Sequence, residues 1–175
     1  YDGNNRLVKA EDPLGGITRY TYDSQGNLLS DTDENGNATR YTYDPVGRLL
    51  AVKDALEGTR TYKYDLNGNR LEETDENGHT TAYYYDAIGE LLARTDGEGY
   101  VTAMEYDPAG NLTKLTDALK GETTWETDAL NRTVGAVDAM GNPYAYAYDA
   151  VGNLLTVTMP DGDTTKQTYD GEGRV

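Results

Sequence analysis

The residues able to do nucleophilic or acid–base chemistry are few: one histidine, His79, two serines, Ser24 and Ser30, and no cysteine. A Ser-His-Asp arrangement needs its members within hydrogen-bond reach on a support built for them. His79, Ser24 and Ser30 instead fall at variable positions of a repeating sequence. Structural zinc would need cysteines or several histidines. There is no Walker lysine and no G-x-G-x-x-G leading from a strand into a helix, and Gly97-Glu98-Gly99 falls in a turn. Carboxylates are abundant, 31 Asp and Glu against 15 Lys and Arg. Glycoside hydrolysis, however, needs one carboxyl singled out by burial, and acids repeated in register are more simply a solvated face. Asp31, Asp33, Asn35 and Gly36 copy the opening of a calcium-binding EF-hand loop, but the closing position holds Thr42, and the related unit starts with Glu73 and ends at Tyr84. We therefore expect no catalytic, cofactor-binding or metal-binding residue, no cofactor, and no enzyme.

What positions these residues is a strict repeat. Tyr-Asp recurs every 21 residues, at Tyr1, Tyr22, Tyr43, Tyr64, Tyr85, Tyr106, Tyr148 and Tyr169, with Thr127-Asp128 in the one slot lacking Tyr. The whole chain, 1–175, reads as one array of eight units plus a partial ninth, 169–175, so that function belongs to the assembled surface. The fifth column is Gly26, Gly47, Gly68, Gly89, Gly110, Gly152 and Gly173, with Asn5 and Asn131 as exceptions. Gly and Asn are the residues that accept a left-handed backbone, so this column predicts a turn with positive φ. The twelfth column is Asp from Asp12 to Asp138, then Met159, and predicts carboxylates that accept from the amides following them.

Two turns per unit leave two segments of ordinary strand length, so each unit predicts a β-hairpin. Asn35-Gly36, Asn77-Gly78, Gly15-Gly16 and Asp161-Gly162 mark the far turns. Thr39-Arg40-Tyr41-Thr42-Tyr43 alternates, with Thr39, Tyr41 and Tyr43 on one face, as a half-buried strand does. Thirteen of the 16 tyrosines lie in two columns two residues apart, a ring stripe on one face, with Met104 and Trp125 as replacements. If that stripe is packed, Tyr43→Ala should cost ~3 kcal/mol or more. Adjacent leucines, as in Leu28-Leu29, require either two partly covered faces or a bulge after the glycine turn. Helix is expected to be nearly absent. The predicted class is all-β: tandem hairpins in one long, curved antiparallel sheet.

A slower rhythm alternates Asn27, Asn69, Asn111 and Asn153 with Arg6, Arg48, Arg132 and Arg174 in the sixth column, Glu90 being the deviation. Either duplication in 42-residue pairs or alternating environments along the sheet would produce it. A net charge of −16 disfavours nucleic acid and anionic membrane partners. No run is apolar and long enough for a signal peptide or a membrane span. Phe is absent and 37% of residues are apolar, so a thin sheet is expected rather than a thick two-layer core.

Tyr22-Asp-Ser-Gln-Gly-Asn-Leu-Leu, Tyr43-Asp-Pro-Val-Gly-Arg-Leu-Leu and Tyr148-Asp-Ala-Val-Gly-Asn-Leu-Leu, each followed by a T-D-x-x-G-like turn and T-x-Y, resemble the YD repeats of the RHS family over the whole chain. The resemblance implies a spiral β-sheet shell, as in bacterial polymorphic toxins, insecticidal Tc toxin cocoons and teneurin barrels. In the bacterial members that shell encloses a C-terminal toxin domain. It also implies secretion or cell-surface display as part of a larger protein. Asp44-Pro45-Val46-Gly47 and Asp107-Pro108-Ala109-Gly110 are ordinary repeat turns, so no self-cleavage residue is carried over, and the chain looks like a piece of shell wall. Its expected partners are flanking repeats and an enclosed toxin domain, with edge-to-edge self-association. The alternative is a binding module that offers Tyr rings to carbohydrate or to a partner protein.

Overall fold

The computed structural model describes residues 1–174, which contain strands and turns and no helix. The first strands are β1 (Lys9–Glu11), β2 (Ile17–Tyr22), β3 (Leu28–Thr32), β4 (Ala38–Tyr43), β5 (Leu49–Lys53), β6 (Thr59–Tyr64), β7 (Arg70–Thr74) and β8 (Thr80–Tyr85). They continue as β9 (Leu91–Thr95), β10 (Val101–Tyr106), β11 (Leu112–Thr116), β12 (Glu122–Thr127), β13 (Thr133–Val137), β14 (Pro143–Tyr148), β15 (Leu154–Thr158) and β16 (Thr164–Lys166). The strands follow one another in chain order as a single unclosed antiparallel sheet. Two compact units divide the chain, Tyr1–Tyr84 with Thr95–Gly99, and Tyr85–Arg94 with Tyr100–Val175.

Within the first unit the registers explain the adjacent leucines. Tyr20 faces Asp31 and Thr21 faces Ser30, then the register shifts and Tyr22 faces Leu28, which leaves Leu29 as the extra residue of a bulge. The same shift falls before Tyr43 and Tyr64. In the second unit it falls before Tyr106, Thr127 and Tyr148. The bulge alternative is the one adopted, and it fixes which face each following residue takes.

Near and far turns share one design. In the far turn after β3, the Gly36 amide donates to Asp33 O (3.1 Å) and the Asp33 amide to Asn37 O (2.9 Å). Gly36 alone of the central residues has positive φ, at 86°, so this is a type I turn closed by a left-handed residue rather than a two-residue hairpin loop. The fifth column behaves as expected, from Gly26 (98°) to Gly152 (100°), with Asn5 and Asn131 both at 60°. Two far turns carry a surprise: Glu57 and Lys120 both sit at φ 71°, where other units hold Gly, although Gly58 and Gly121 are one step away. Sliding the turn to use those glycines would flip every following side chain to the wrong face, which costs more than one strained residue.

No side chain among the described residues is fully buried. The chain exposes 11603 Å², against roughly 8,400 Å² for a globular monomer of its mass. The Tyr columns, for example Tyr41, Tyr43, Tyr62 and Tyr64, are half-buried. The expectation of a packed stripe therefore overstated its burial, because a single layer supplies neighbours within the sheet but none from above.

Candidate functional site

The recurrent chemistry lies along the near turns. The Asp of each Tyr-Asp, which sequence reasoning left without a role, bonds its own turn. Asp23 Oδ1 accepts from the amides of Gln25 and Asn27, both at 2.9 Å, and Asp23 Oδ2 accepts from Asn27 Nδ2 at 2.8 Å. Asp107 and Asp149 repeat this with Asn111 and Asn153. The side chain and then the amide of Asn111 hold the Asp107 carboxyl below its usual range, and Arg132 acts in the same way on Asp128. The twelfth-column carboxylates do what their spacing predicts: Asp33 Oδ1 accepts from the Asn35 and Asn37 amides, and Asp138 Oδ1 from those of Met140 and Asn142.

The Arg/Asn rhythm has a physical origin. The side chains of Asn27, Asn69 and Asn153 bond within their own turns and Asn111 adds one bond to Asn131, whereas Arg reaches forward to a carbonyl and a ring of the next hairpin. Arg48 Nε donates to Asp44 Oδ2, its Nη1 donates to Asp65 O, and its guanidinium lies 5.1 Å from the Tyr64 ring centre. Arg6 does the same with Asp2, Asp23 and Tyr22, and Arg132 with Asp128, Asp149 and Tyr148. Near turns are thus clamped in pairs, and the environments do alternate along the sheet. Glu90 stands in an Arg slot, and partial burial, then Asp86, then Asp107 push its carboxyl pKa up.

On the ring face, Tyr41 Oη donates to Asp31 Oδ1 at 2.9 Å, and the phenol is pushed up to about 12, by burial first and by Asp31 second. A hollow of about 260 Å³ opens where Tyr is missing, lined by Asn111, Leu112, Trp125, Thr127, Asn131 and Thr133. Another, of about 270 Å³, lies over Gly135 between Thr124, Glu126 and Ala145.

The residues weighed for catalysis are not brought together. Ser24 is in a near turn, Ser30 Oγ is bonded to Thr21 Oγ1 at 2.7 Å, and His79 is in a far turn. His79 is less isolated than its sequence suggests: Nδ1 lies 3.1 Å from Asp75 Oδ2, and Gly97 sits so close that a Cβ there would come within 2.6 Å of His79 Cβ. Of the calcium-like set, Asp31 serves Tyr41 and Asp33 serves its own turn. No group of three or more His, Cys, Asp or Glu suited to a metal occurs among the described residues.

Fold and rim together define a tandem hairpin-repeat protein whose recurring polar residues close turns and clamp neighbouring hairpins. The chain belongs to the RHS repeat family, whose model, described as RHS Repeat, matches residues 1–38, 22–59, 43–81, 64–98, 85–122, 128–164 and 148–175. No curated protein matches it. Among solved structures, a TcdB2-TccC3-Cdc42 crystal structure superposes with TM-score 0.73 at 23% identity, over 89% of this chain and 10% of that one. TcdB2-TccC3 without its hypervariable C-terminal region gives TM-score 0.72 at 21% identity, over 91% and 10%. The Photorhabdus luminescens Tc holotoxin pore gives 0.70 at 23%, over 88% and 10%. The chain thus spans about a tenth of the length of each of these chains, and the likeness is one of fold.

Proposed function

We propose that the chain is a length of wall in a larger RHS shell that encloses and carries a toxin domain, with no catalysis of its own. One observation carries the reading: a sheet of this family's repeats in which no described side chain is fully buried and whose recurring polar groups are spent on turns and clamps. Such a layer is a wall that gains stability from more wall or from contents. The fold likeness to TcdB2-TccC3 assemblies supports the same assignment. The partners on this reading are flanking repeats beside β1 and β16, an enclosed polypeptide, and other copies that pair edge to edge when those repeats are missing. Its setting is secretion or cell-surface display as part of the larger protein.

Limited proteolysis of the parent protein tests this. The enclosed domain should survive with an intact wall and be cleaved once Gly68→Val and Gly110→Val break two turns of the wall. Equal cleavage of that domain in both proteins would defeat the reading. The half-exposed Tyr rings favour a second reading, a carbohydrate- or protein-binding module.

A further inference from the structure

We propose that the hollow beside Trp125 binds a neutral pyranose ring of a saccharide. The inference stands apart from the shell reading, because it depends on one place where the array departs from its own template. Tyr22, Tyr106, Tyr148 and Tyr169 each donate their hydroxyl to the carbonyl fifteen residues earlier. Thr127 occupies that register and is too short to reach Leu112, so a ring and a hydroxyl are both missing from the sheet face. Its Oγ1 donates instead to Asp107 Oδ2, at 3.4 Å. Two further departures border the same space: Trp125 stands in a Tyr column, and Asn131 replaces the turn glycine while keeping φ 60°.

The lining decides the ligand class. Trp125 and Leu112 offer an indole and an aliphatic wall. Asn131 Nδ2 and the Thr133 hydroxyl can donate, while Asn111 Oδ1 and Thr127 Oγ1 can accept, the protons of Asn111 and Thr127 being committed to Asp107 and Asn131. Asn111 Nδ2 already donates to Asn131 Oδ1 at 2.9 Å, which holds the two amides together at the rim. An anion finds no counter-ion here. Arg132 is committed to Asp128 and to Asp149 O beneath the Tyr148 ring, and the carboxylate of Asp107 is adjacent. A purely apolar ring would cover the amide pair without satisfying it. A pyranose meets both demands, with a C–H face for the indole and hydroxyls for the amides, the Leu112 carbonyl and Asp107.

Trp125 is the only tryptophan, so its emission reports on this hollow alone. The intact chain is titrated with glucose, galactose, mannose, N-acetylglucosamine and their β-1,4-linked oligomers to tens of millimolar. Saturation-transfer NMR follows the same samples. The expected result is a saturable change in Trp125 emission, with transfer to ring protons of at least one neutral sugar. Thr127→Tyr restores the array's own residue and should weaken that binding at least about tenfold while the protein stays folded. Asn131→Gly, also a return to the template, should weaken it less. The proposal is overturned if no neutral sugar gives either signal, if Thr127→Tyr binds as well as the parent, or if glucuronate or phenol binds more tightly than every neutral sugar.

Discussion

Arg48 Nη1 donates to the backbone carbonyl of Asp65 at 2.6 Å, across seventeen residues of sequence. One side chain thereby joins two near turns, since the same guanidinium also binds Asp44 and stacks on Tyr64. Removing it frees a carbonyl, a carboxylate and a ring face together. Arg48→Ala should lower stability by about 1–2 kcal/mol in urea unfolding. Arg48→Lys should recover less than half of that, because a compact ammonium lacks the planar spread by which Nε and Nη1 reach separate acceptors while the guanidinium stacks on Tyr64.

Glu90 holds the Arg slot in the second unit and faces Asp86 and Asp107. Glu90→Arg should raise the urea midpoint at pH 7, since it replaces a repelled carboxylate by the clamp found at Arg132. The pH dependence fixes the sign. A raised folded-state pKa means that Glu90 stabilises below its unfolded value and that this contribution is lost as pH rises through the folded one. The turn carboxylates Asp33, Asp107, Asp128 and Asp138 have lowered values, so their contribution is present above about pH 4 and is lost as pH falls through their folded values. Overall stability should therefore collapse in acid. The gain from Glu90→Arg should shrink below about pH 4.5, and a gain independent of pH would contradict this account.

Glu57 and Lys120 occupy left-handed positions without being glycine. Glu57→Gly and Lys120→Gly should each stabilise by about 0.5–1 kcal/mol, the relief of strain exceeding the added freedom of the unfolded chain. Gly68→Val is the converse: φ is 95°, and a β-branched residue there should cost well over 1 kcal/mol although nothing lies within 4 Å of the added Cβ. Thermal melts of the three variants check the pattern.

Tyr43 is half-buried, so Tyr43→Ala should cost about 2 kcal/mol, less than a packed ring would. His79→Ala should stay within about 0.5 kcal/mol, because its contact with Asp75 is largely exposed. The raised Tyr41 phenol carries a second signature. Its contribution is complete below about pH 10 and is lost as pH rises through its folded value of about 12. Tyr41→Phe should remove that alkaline transition, read by absorbance at the phenolate band.

β1 and β16 each pair on one side only and are three residues long, carrying Lys9, Glu11 and Lys166. Free strand edges recruit other chains, while short charged edges do so weakly. Sedimentation should show association that grows with protein concentration and reverses on dilution. A strictly monomeric chain at the highest soluble concentration would count against edge pairing.

The sequence by itself determined the array. Positive φ at Gly26 or Asn131, the Asx-type turn at Asp33 and the alternation of Thr39, Tyr41 and Tyr43 are local backbone demands, and a 21-residue period repeats each demand until it cannot be missed. The tertiary structure decided what depends on which turns become neighbours in space. Arg6, Arg48 and Arg132 clamp forward while Asn27 and Asn69 bond only their own turns, Asn111 meets Asn131, His79 crowds Gly97, and Glu90 is left facing Asp107. Glu57 and Lys120 are strained because strand register outweighs the comfort of one residue. The hollow beside Trp125 exists because Thr127 falls short of a carbonyl fifteen residues away, a distance in sequence that only pairing of β11 with β12 converts into contact.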